Sequence, residues 1–261
     1  MIANYHTHTY RCGHAEGSER EYVEAALSAG LKILGFSDHT PYDFFDSEPR
    51  NRPMRMKPEE LPEYAATVRA LAKEYRGKLD IHLGVEAEYY PKYFPRLLEL
   101  LRENGVEYMI LGQHFLGDEI GDKYSGRPCL DRKQLERYVS QTSEALDTGV
   151  FTYFAHPDLF HFVGSKAVYE QEMRKLCRAA KQTDTPLEIN LLGLREGRHY
   201  PNERFWRIAA EEGNTVILGS DAHKPEQLAD AESERNAIAL AEALGLKLTD
   251  TLSLRPIKTL P

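Results

Sequence analysis

The sequence predicts an α/β fold, in which a single domain of residues 1–261 forms a TIM-like barrel of parallel strands. Short apolar segments alternate with longer amphipathic segments along the chain, which is typical of parallel strands joined by crossover helices. Histidines and carboxylates follow the short segments repeatedly, as expected for a site at the carboxyl ends of barrel strands. About seven strand–helix units favour a closed barrel over a short open sheet.

Seven short apolar segments are predicted strands. In chain order they are Ile2–Tyr5, Ile33–Ser37, Asp80–Glu86, Tyr108–Leu111, Phe151–Ala155, Leu187–Asn190 and Val216–Leu218. Amphipathic segments between them are predicted helices, namely Glu19–Ala29, Lys57–Tyr75, Pro95–Asn104, Asp131–Leu146, Lys166–Thr183 and Asn202–Glu212. A glycine follows most of these helices, at the position where a left-handed residue commonly ends a helix.

The longest connection, Thr40–Pro58, separates the second strand from its helix. Its four prolines exclude one regular helix or strand over the whole segment. Loops beside a site often carry function, and some close over it. Two interpretations are therefore open for this insertion: a lid over the site or an ordinary surface loop.

The composition limits the classes of function. The chain is 41% hydrophobic and 28% charged, as in ordinary globular proteins, and it has no apolar run of the ~20 residues that span a bilayer. The N-terminus lacks the basic and apolar regions of a signal peptide. The cysteines, Cys12, Cys129 and Cys177, form no CxxC pair, so we expect a cytoplasmic protein without disulfides. The net charge of −8 argues against nucleic-acid binding, which needs a basic face.

Nine histidines and carboxylates form a candidate metal site. Imidazole and carboxylate are common ligands of zinc, iron and manganese, and nine ligands are too many for one ion. Residues two apart on a strand face the same side, so His6 and His8 can reach one ion. The spacing of Asp221 and His223 is the same. The candidates are His6, His8, His14, His39, Glu86, His114, His156, Asp221 and His223.

The isolated candidates are interpreted from their position at strand ends. His114 and His156 alone would be typical hydrogen-bonded core histidines, but each follows a predicted strand. Glu86 ends an apolar strand, where a carboxylate is costly to bury unless it is paired or bound to metal. Glu88 points the same way and is the competing choice for a ligand.

Together these motifs resemble the PHP (polymerase and histidinol phosphatase) superfamily over nearly the whole chain. The motifs are His6-Thr7-His8, Ser37-Asp38-His39, Glu86, His114, His156 and Ser220-Asp221-Ala222-His223. The resemblance implies a distorted (β/α)7 barrel with three divalent metal ions, for which zinc, iron and manganese are all open. It further implies that His6, His8, Glu86 and Asp221 bind the first ion, that Glu86, His114 and His156 bind the second, and that His14, His39 and His223 bind the third.

Within this family the chain resembles the stand-alone histidinol-phosphate phosphatases, through Glu188-Ile189-Asn190, Gly193-Leu194-Arg195 and Tyr200-Pro201. That resemblance implies hydrolysis of L-histidinol phosphate, a small phosphorylated substrate, by water that the metals activate. Arg195 is then expected to bind phosphate, and Asp221 or His223 to protonate the leaving group. His161, in a loop on the same side, is a further candidate for substrate contact.

The sequence departs from the family pattern at two places. Gly112-Gln113-His114 replaces the usual Ser-Val-His, and Asn190-Leu191-Leu192-Gly193 replaces Asn-Thr-Ser-Gly. Both departures affect the expected contacts with the substrate more than the expected hydrolysis reaction. The alternatives are therefore a phosphotyrosyl-protein phosphatase and a phosphodiesterase or exonuclease, the latter of which needs a basic track for the nucleic-acid strand. A non-catalytic binding protein is expected to have lost ligands, and none is missing from the motifs.

Overall fold

The computed structural model describes residues 1–41, 54–117 and 123–258. Within these ranges, parallel strands form one sheet in which each strand pairs with the next along the chain. The strands are β1 (Ala3–Asn4), β2 (Ile33–His39), β3 (Asp80–Ala87), β4 (Tyr108–Leu111), β5 (Phe151–Phe154), β6 (Leu187–Asn190), β7 (Thr215–Gly219) and β8 (Lys247–Leu248). The predicted α/β fold with its parallel strands is confirmed, and β8 is an additional short strand.

Helices follow the strands and pack around the sheet. They are α1 (Glu19–Ser28), α2 (Glu60–Glu74), α3 (Phe94–Glu103), α4 (Arg132–Asp147), α5 (Lys166–Gln182), α6 (Leu191–Arg195), α7 (Glu203–Glu212) and α8 (Ala231–Leu244). The sequence analysis predicted all of these except α6 and α8. Among the helices that the structure describes, none is long and apolar enough to cross a membrane.

The segments that follow β1 and β7 are joined by backbone hydrogen bonds at the end of the sheet that carries the candidate ligands. There, Thr7 forms an isolated parallel bridge with Ala222. The amide of His8 donates to the carbonyl of Ala222 at 3.0 Å, and the amide of Ala222 donates to the carbonyl of His6 at 3.3 Å. At the opposite end, β7 pairs with β8 instead. The barrel is therefore distorted. Its bridged end holds the motifs His6-Thr7-His8 and Asp221-Ala222-His223 side by side.

A buried tyrosine fills the interior of the barrel below the candidate site. The hydroxyl of Tyr108 lies 2.9 Å from the carbonyl oxygen of Tyr5 and 3.0 Å from that of Phe36. Its ring occupies space that side chains on the neighbouring strands would otherwise fill. A Cβ atom at Gly35 or Gly84 would come within 2.2 Å of Tyr108. These glycines thus let one large side chain connect the first four strands.

Candidate metal centre

The structure brings all nine predicted metal ligands to one end of the barrel. The parallel sheet places the carboxyl ends of its strands at the same edge, and the loops that follow them carry the remaining ligands. His39 and Glu86 are direct register partners on β2 and β3. Seven of the nine ligands line a cavity of about 590 Å³, while His6 and His8 lie beneath it and are fully buried.

The carboxylate of Glu86 lies between two pairs of imidazoles. Its Oε2 atom is 3.5 Å from Nε2 of His6 and 3.5 Å from Nε2 of His8. Its Oε1 atom is 2.8 Å from Nε2 of His156 and 3.6 Å from Nε2 of His114. Since each oxygen faces a different pair of histidines, this carboxylate can bridge two ions.

Asp221 completes the group around His6 and His8. Its Oδ1 atom is 3.5 Å from Nε2 of His6 and 3.2 Å from Nε2 of His8. These three atoms are buried and have no hydrogen-bond partner among the described residues. Buried polar atoms are almost always satisfied. A divalent cation bound between them would satisfy all three, so the donor set fits a metal ion.

The remaining histidines lie nearer the surface. Nε2 of His223 is 3.0 Å from Nε2 of His14, and the rings of His14 and His39 are 5.4 Å apart. Nδ1 of His39 also lies 3.2 Å from Oε2 of Glu86. His39 therefore stands between this outer group and the Glu86 carboxylate, which makes the nine residues one continuous cluster.

Two cluster residues adopt backbone conformations that are uncommon outside glycine. The φ angle is 34° at His156 and 47° at Asp221. Such conformations persist where the surrounding structure enforces them, and they concentrate at functional sites. Near Asp221, Nη2 of Arg195 donates to the carbonyls of Ser220 and Asp221 at 3.3 and 3.4 Å. This side chain thus supports the backbone of a candidate ligand.

The electrostatics of the cluster favour cation binding. Burial alone would raise the pKa of Glu86 and Asp221, but the neighbouring imidazoles hold the pKa of each carboxyl well below its usual range. Burial alone would lower the pKa of His6, but the charges of Glu188, Asp221 and Glu86 raise it to about 10. Burial and then the charge of His8 lower the pKa of His223 to about 3. The carboxyl groups are therefore ionised, and bound protons or metal cations must balance their negative charge.

A second layer of carboxylates orients the imidazoles. Glu188 Oε2 lies 2.8 Å from Nδ1 of His6, and Glu88 Oε1 lies 2.9 Å from Nδ1 of His114. Arg55 donates to the same oxygen of Glu88 at 2.7 Å. Such hydrogen bonds fix the tautomer and the orientation of a ligating histidine. Glu88, the competing choice for a ligand, therefore stands behind His114 and not between the imidazoles.

Two glycines leave space for these carboxylates. A Cβ atom at Gly112 would lie 1.8 Å from Oε1 of Glu86, and one at Gly219 would lie 2.0 Å from Oε2 of Glu188. Neither distance is compatible with a side chain at the glycine. Gly112, which departs from the serine of the family pattern, is thus the residue that this position of Glu86 requires.

Two predicted substrate contacts lie away from the cavity surface. Arg195 pairs with Asp230 at 3.0 Å, and its guanidinium otherwise faces backbone carbonyls. The ring of His161 stacks on that of His199, with centroids 3.9 Å apart, and it is His199 that lines the cavity. Among the described residues, the arginine that lines the cavity is Arg198, for which the sequence offered no motif. Arg195 and His161 do not line the cavity, so contact of either residue with the substrate stays a prediction.

The sequence analysis also missed the role of Glu188. This residue is fully buried in β6, and its neighbours in the sequence are the apolar residues Leu187 and Ile189. The same argument that singled out Glu86, a carboxylate within an apolar strand, applies to it.

Of the Thr40–Pro58 insertion, residues 42–53 lie outside the described residues, so a lid stays a prediction. Its described end reaches the site, because Met54 lines the cavity.

Comparisons with known proteins agree with this arrangement. The family model described as PHP domain matches residues 4–191. The chain is similar to a probable histidinol-phosphatase of Deinococcus radiodurans, with 36% identity over 250 residues that cover 89% of this chain and 92% of the relative. It is similar to the histidinol-phosphatase of Bacillus subtilis at 26% identity over 253 residues, covering 84% and 92% of the two chains.

A solved structure shares the fold. The crystal structure of histidinol phosphate phosphatase from Lactococcus lactis, complexed with zinc, L-histidinol and phosphate, matches with a TM-score of 0.75 and 20% identity over 98% of each chain. At this identity the likeness concerns the fold alone. The family model covers well over half of the chain, and a relative of more than 30% identity covers most of it. The chain therefore belongs to the PHP domain family.

Proposed function

We propose that the protein is a metal-dependent phosphomonoesterase that hydrolyses L-histidinol phosphate to L-histidinol and phosphate in histidine biosynthesis. The observation that carries this proposal is the position of Glu86, whose two carboxylate oxygens face two separate pairs of histidines. A bridging carboxylate is what a multinuclear phosphoesterase centre needs. The substrate is supported by the relatives named histidinol-phosphatase.

The cluster fits three divalent ions, with zinc, iron and manganese as the candidates. His14, His39 and His223 lie close to one another at the outer side of the cluster, so they can supply the ligands of a third ion. We assign His6, His8, Glu86 and Asp221 to the first ion, Glu86, His114 and His156 to the second, and His14, His39 and His223 to the third. When bound, such ions supply Lewis-acid polarisation of phosphoryl oxygens and lower the pKa of water.

The residues of the chain would then bind and orient the substrate. Arg198 and Lys224 line the cavity and can pair with phosphate oxygens. Asp221 and His223 are the predicted groups for proton transfer to the leaving alkoxide. Because the pKa of each is lowered, the group would first have to take a proton from the attacking water. Both line the cavity, and Nδ1 of His223 lies 3.4 Å from Oδ1 of Asp221. The proposed substrate is an anion, although the chain has a net charge of −8. Bound metal cations would still attract it, because bound ions dominate the local field.

A comparison of substrates tests the proposal. L-histidinol phosphate, a phosphotyrosine peptide and a single-stranded oligonucleotide are assayed with one enzyme sample of measured metal content. We expect kcat/KM for L-histidinol phosphate to exceed the others by about two orders of magnitude or more, since buried polar groups of a site reject ligands that leave them unpaired. A preference for the peptide or the oligonucleotide would support one of the alternative functions and overturn this one.

A pair of variants tests the metal centre itself. Glu86→Gln removes the bridging charge, and we expect it to lose metal and most turnover. Glu107→Gln is the matched control, because Glu107 is partly exposed and pairs with His82 away from the cavity. Full metal content and turnover in Glu86→Gln would contradict the proposed centre.

A cytoplasmic location is also part of the proposal, and it is supported by the three unpaired cysteines.

A further inference from the structure

An ion pair stands at the wall of the cavity. Glu196 and Arg198 both line it, and Oε2 of Glu196 accepts a hydrogen bond from Nε of Arg198 at 2.8 Å and lies 2.6 Å from Nη2 in an ion pair. The side chains are 45% and 38% exposed. Nη1 of Arg198 also donates to the hydroxyl of Tyr200 at 2.9 Å. The pair is thus anchored to the cavity wall while its charged groups stay open to a ligand.

Glu196 differs from the other carboxylates of the cavity. Among the described residues that line it, the acidic side chains are Glu86, Asp221 and Glu196. The first two are buried among the histidines of the metal centre. Glu196 contacts no histidine of the cluster, so its charge is available to a cationic group of a ligand.

The proposed substrate carries such a group. L-histidinol phosphate has an ammonium on the carbon next to the one that bears the phosphate ester, so its two charges lie a few ångströms apart. Resting on the proposed function, we propose that Glu196 binds the ammonium group while Arg198 turns to a phosphate oxygen. Glu196 is then the residue that selects amine-bearing phosphomonoesters.

The exchange of partners leaves neither Glu196 nor Arg198 without an ion pair. Before binding, Glu196 pairs with Arg198, and after binding each pairs with the opposite charge of the ligand. An exposed ion pair contributes little by itself, so breaking it costs little. The new pairs form in a cavity from which the ligand has displaced water, where charge-assisted hydrogen bonds are stronger. The exchange therefore favours a dipolar ligand over a purely anionic one.

The same wall offers aromatic faces for a planar ring. Tyr124, His199 and Tyr200 line the cavity near Arg198. The ring of His199 is held by stacking on His161 with an interplanar angle of 6°, and its Nε2 lies 2.8 Å from the carbonyl oxygen of Leu159. A ring fixed in this way can stack on the imidazole of the ligand. The wall thus suits both the amine and the ring of the same molecule.

The test compares two substrates that differ only in the amine. These are L-histidinol phosphate and 3-(imidazol-4-yl)propyl phosphate, assayed with the metal-loaded wild-type enzyme, Glu196→Gln and Glu196→Asp. We expect Glu196→Gln to reduce the ratio of the two kcat/KM values by about tenfold or more, the effect of one hydrogen bond to a charged group. Glu196→Asp, which keeps the charge, should restore part of that ratio.

Glu203→Gln serves as the matched control. Glu203 forms a similar exposed pair with Arg207 outside the cavity, so its loss should leave the ratio unchanged. Inhibition by the product L-histidinol gives a second measure, in which 3-(imidazol-4-yl)propyl phosphate serves as the substrate. Glu196→Gln should weaken this inhibition by a similar factor.

Two outcomes separate this inference from the proposed function. If the wild-type enzyme hydrolyses both substrates and Glu196→Gln leaves their ratio and the inhibition by L-histidinol unchanged, only the role of Glu196 is overturned. If the wild-type enzyme hydrolyses neither substrate, the proposed function fails, and the inference fails with it.

Discussion

Nε2 of His156 lies 2.8 Å from Oε1 of Glu86, although the two residues are 70 positions apart in the chain. Glu86 lies near the end of β3 and His156 follows β5, and β4 lies between those two strands. The contact exists because parallel strands present their carboxyl ends at one edge. It places an imidazole beside the carboxylate oxygen that faces away from His6 and His8.

The contact leads to a prediction for His156→Ala. Under the proposed assignment the variant removes one of the ligands of the second ion. We expect it to lower kcat by at least about a hundredfold, more than the loss of an outer-layer partner. Metal content, measured by elemental analysis of the purified protein, should fall by about one ion per chain.

His82→Ala is the control for this variant. His82 lies on the same strand as Glu86, but it pairs with Asp80 and Glu107 away from the cavity. It should keep both its metal and its turnover. Near-wild-type kcat with full metal content in His156→Ala would rule out the ligand assignment.

Glu188→Gln tests the second layer. The carboxylate lies 2.8 Å from Nδ1 of His6 and also accepts from Nδ2 of Asn190 at 2.7 Å. An amide cannot accept from both without turning a donor toward one of them. We expect the metal affinity to fall about tenfold to a hundredfold, measured by competition with a chelator.

The matched control is Glu172→Gln, because Glu172 is also buried but pairs with Lys175 on α5. Its metal affinity should match that of the wild type. Equal affinities in Glu188→Gln and Glu172→Gln would show that Glu188 only fills space.

Tyr108→Phe tests the interior of the barrel. The hydroxyl lies within hydrogen-bond distance of two buried carbonyls, and the variant leaves the ring in place. We expect the free energy of unfolding to fall by about 1–3 kcal/mol, because buried acceptors lose their donor. Chemical denaturation measures this change.

Tyr10→Phe provides the comparison, since Tyr10 is 46% exposed. Its effect should stay within about 0.5 kcal/mol, as at most surface positions. If both variants had the same small effect, the Tyr108 hydroxyl would contribute nothing to the connection between strands.

The stability should depend on pH through His82. The hydrogen bond to Glu107 raises the pKa of His82 above 6.5, against the effect of partial burial, and the charge of Asp80 raises it further. A raised folded-state pKa stabilises the protein below the unfolded value, and that stabilisation is lost as the pH rises through the folded value.

His82→Gln should therefore lower the free energy of unfolding at pH 5.5 and leave it nearly unchanged at pH 9. The difference should be below about 1 kcal/mol, because solvent screens partly exposed ion pairs. Thermal unfolding of both proteins at the two pH values measures it. An equal loss at both pH values would mean that the imidazole acts through packing and not through charge.

The elements that the sequence predicted well are those with local signals. The strands from Ile33 and Tyr108 begin at the predicted residues, because short apolar runs between turn residues are visible along the chain. Helix α6 was missed because it has only five residues, too few for a helical period. Strand β8 was missed because it has two residues and is defined by its pairing with β7.

The sequence by itself determined the order of seven strands and six helices and the set of nine candidate ligands. Both depend on residue type and spacing along the chain, which are local properties. Only the tertiary structure decided which oxygen of Glu86 faces which imidazoles, and that Glu188 stands behind His6. It also decided that Arg198, and not Arg195, lines the cavity. These relationships join segments that are far apart in the chain, so they depend on strand register and packing, which spacing alone does not specify.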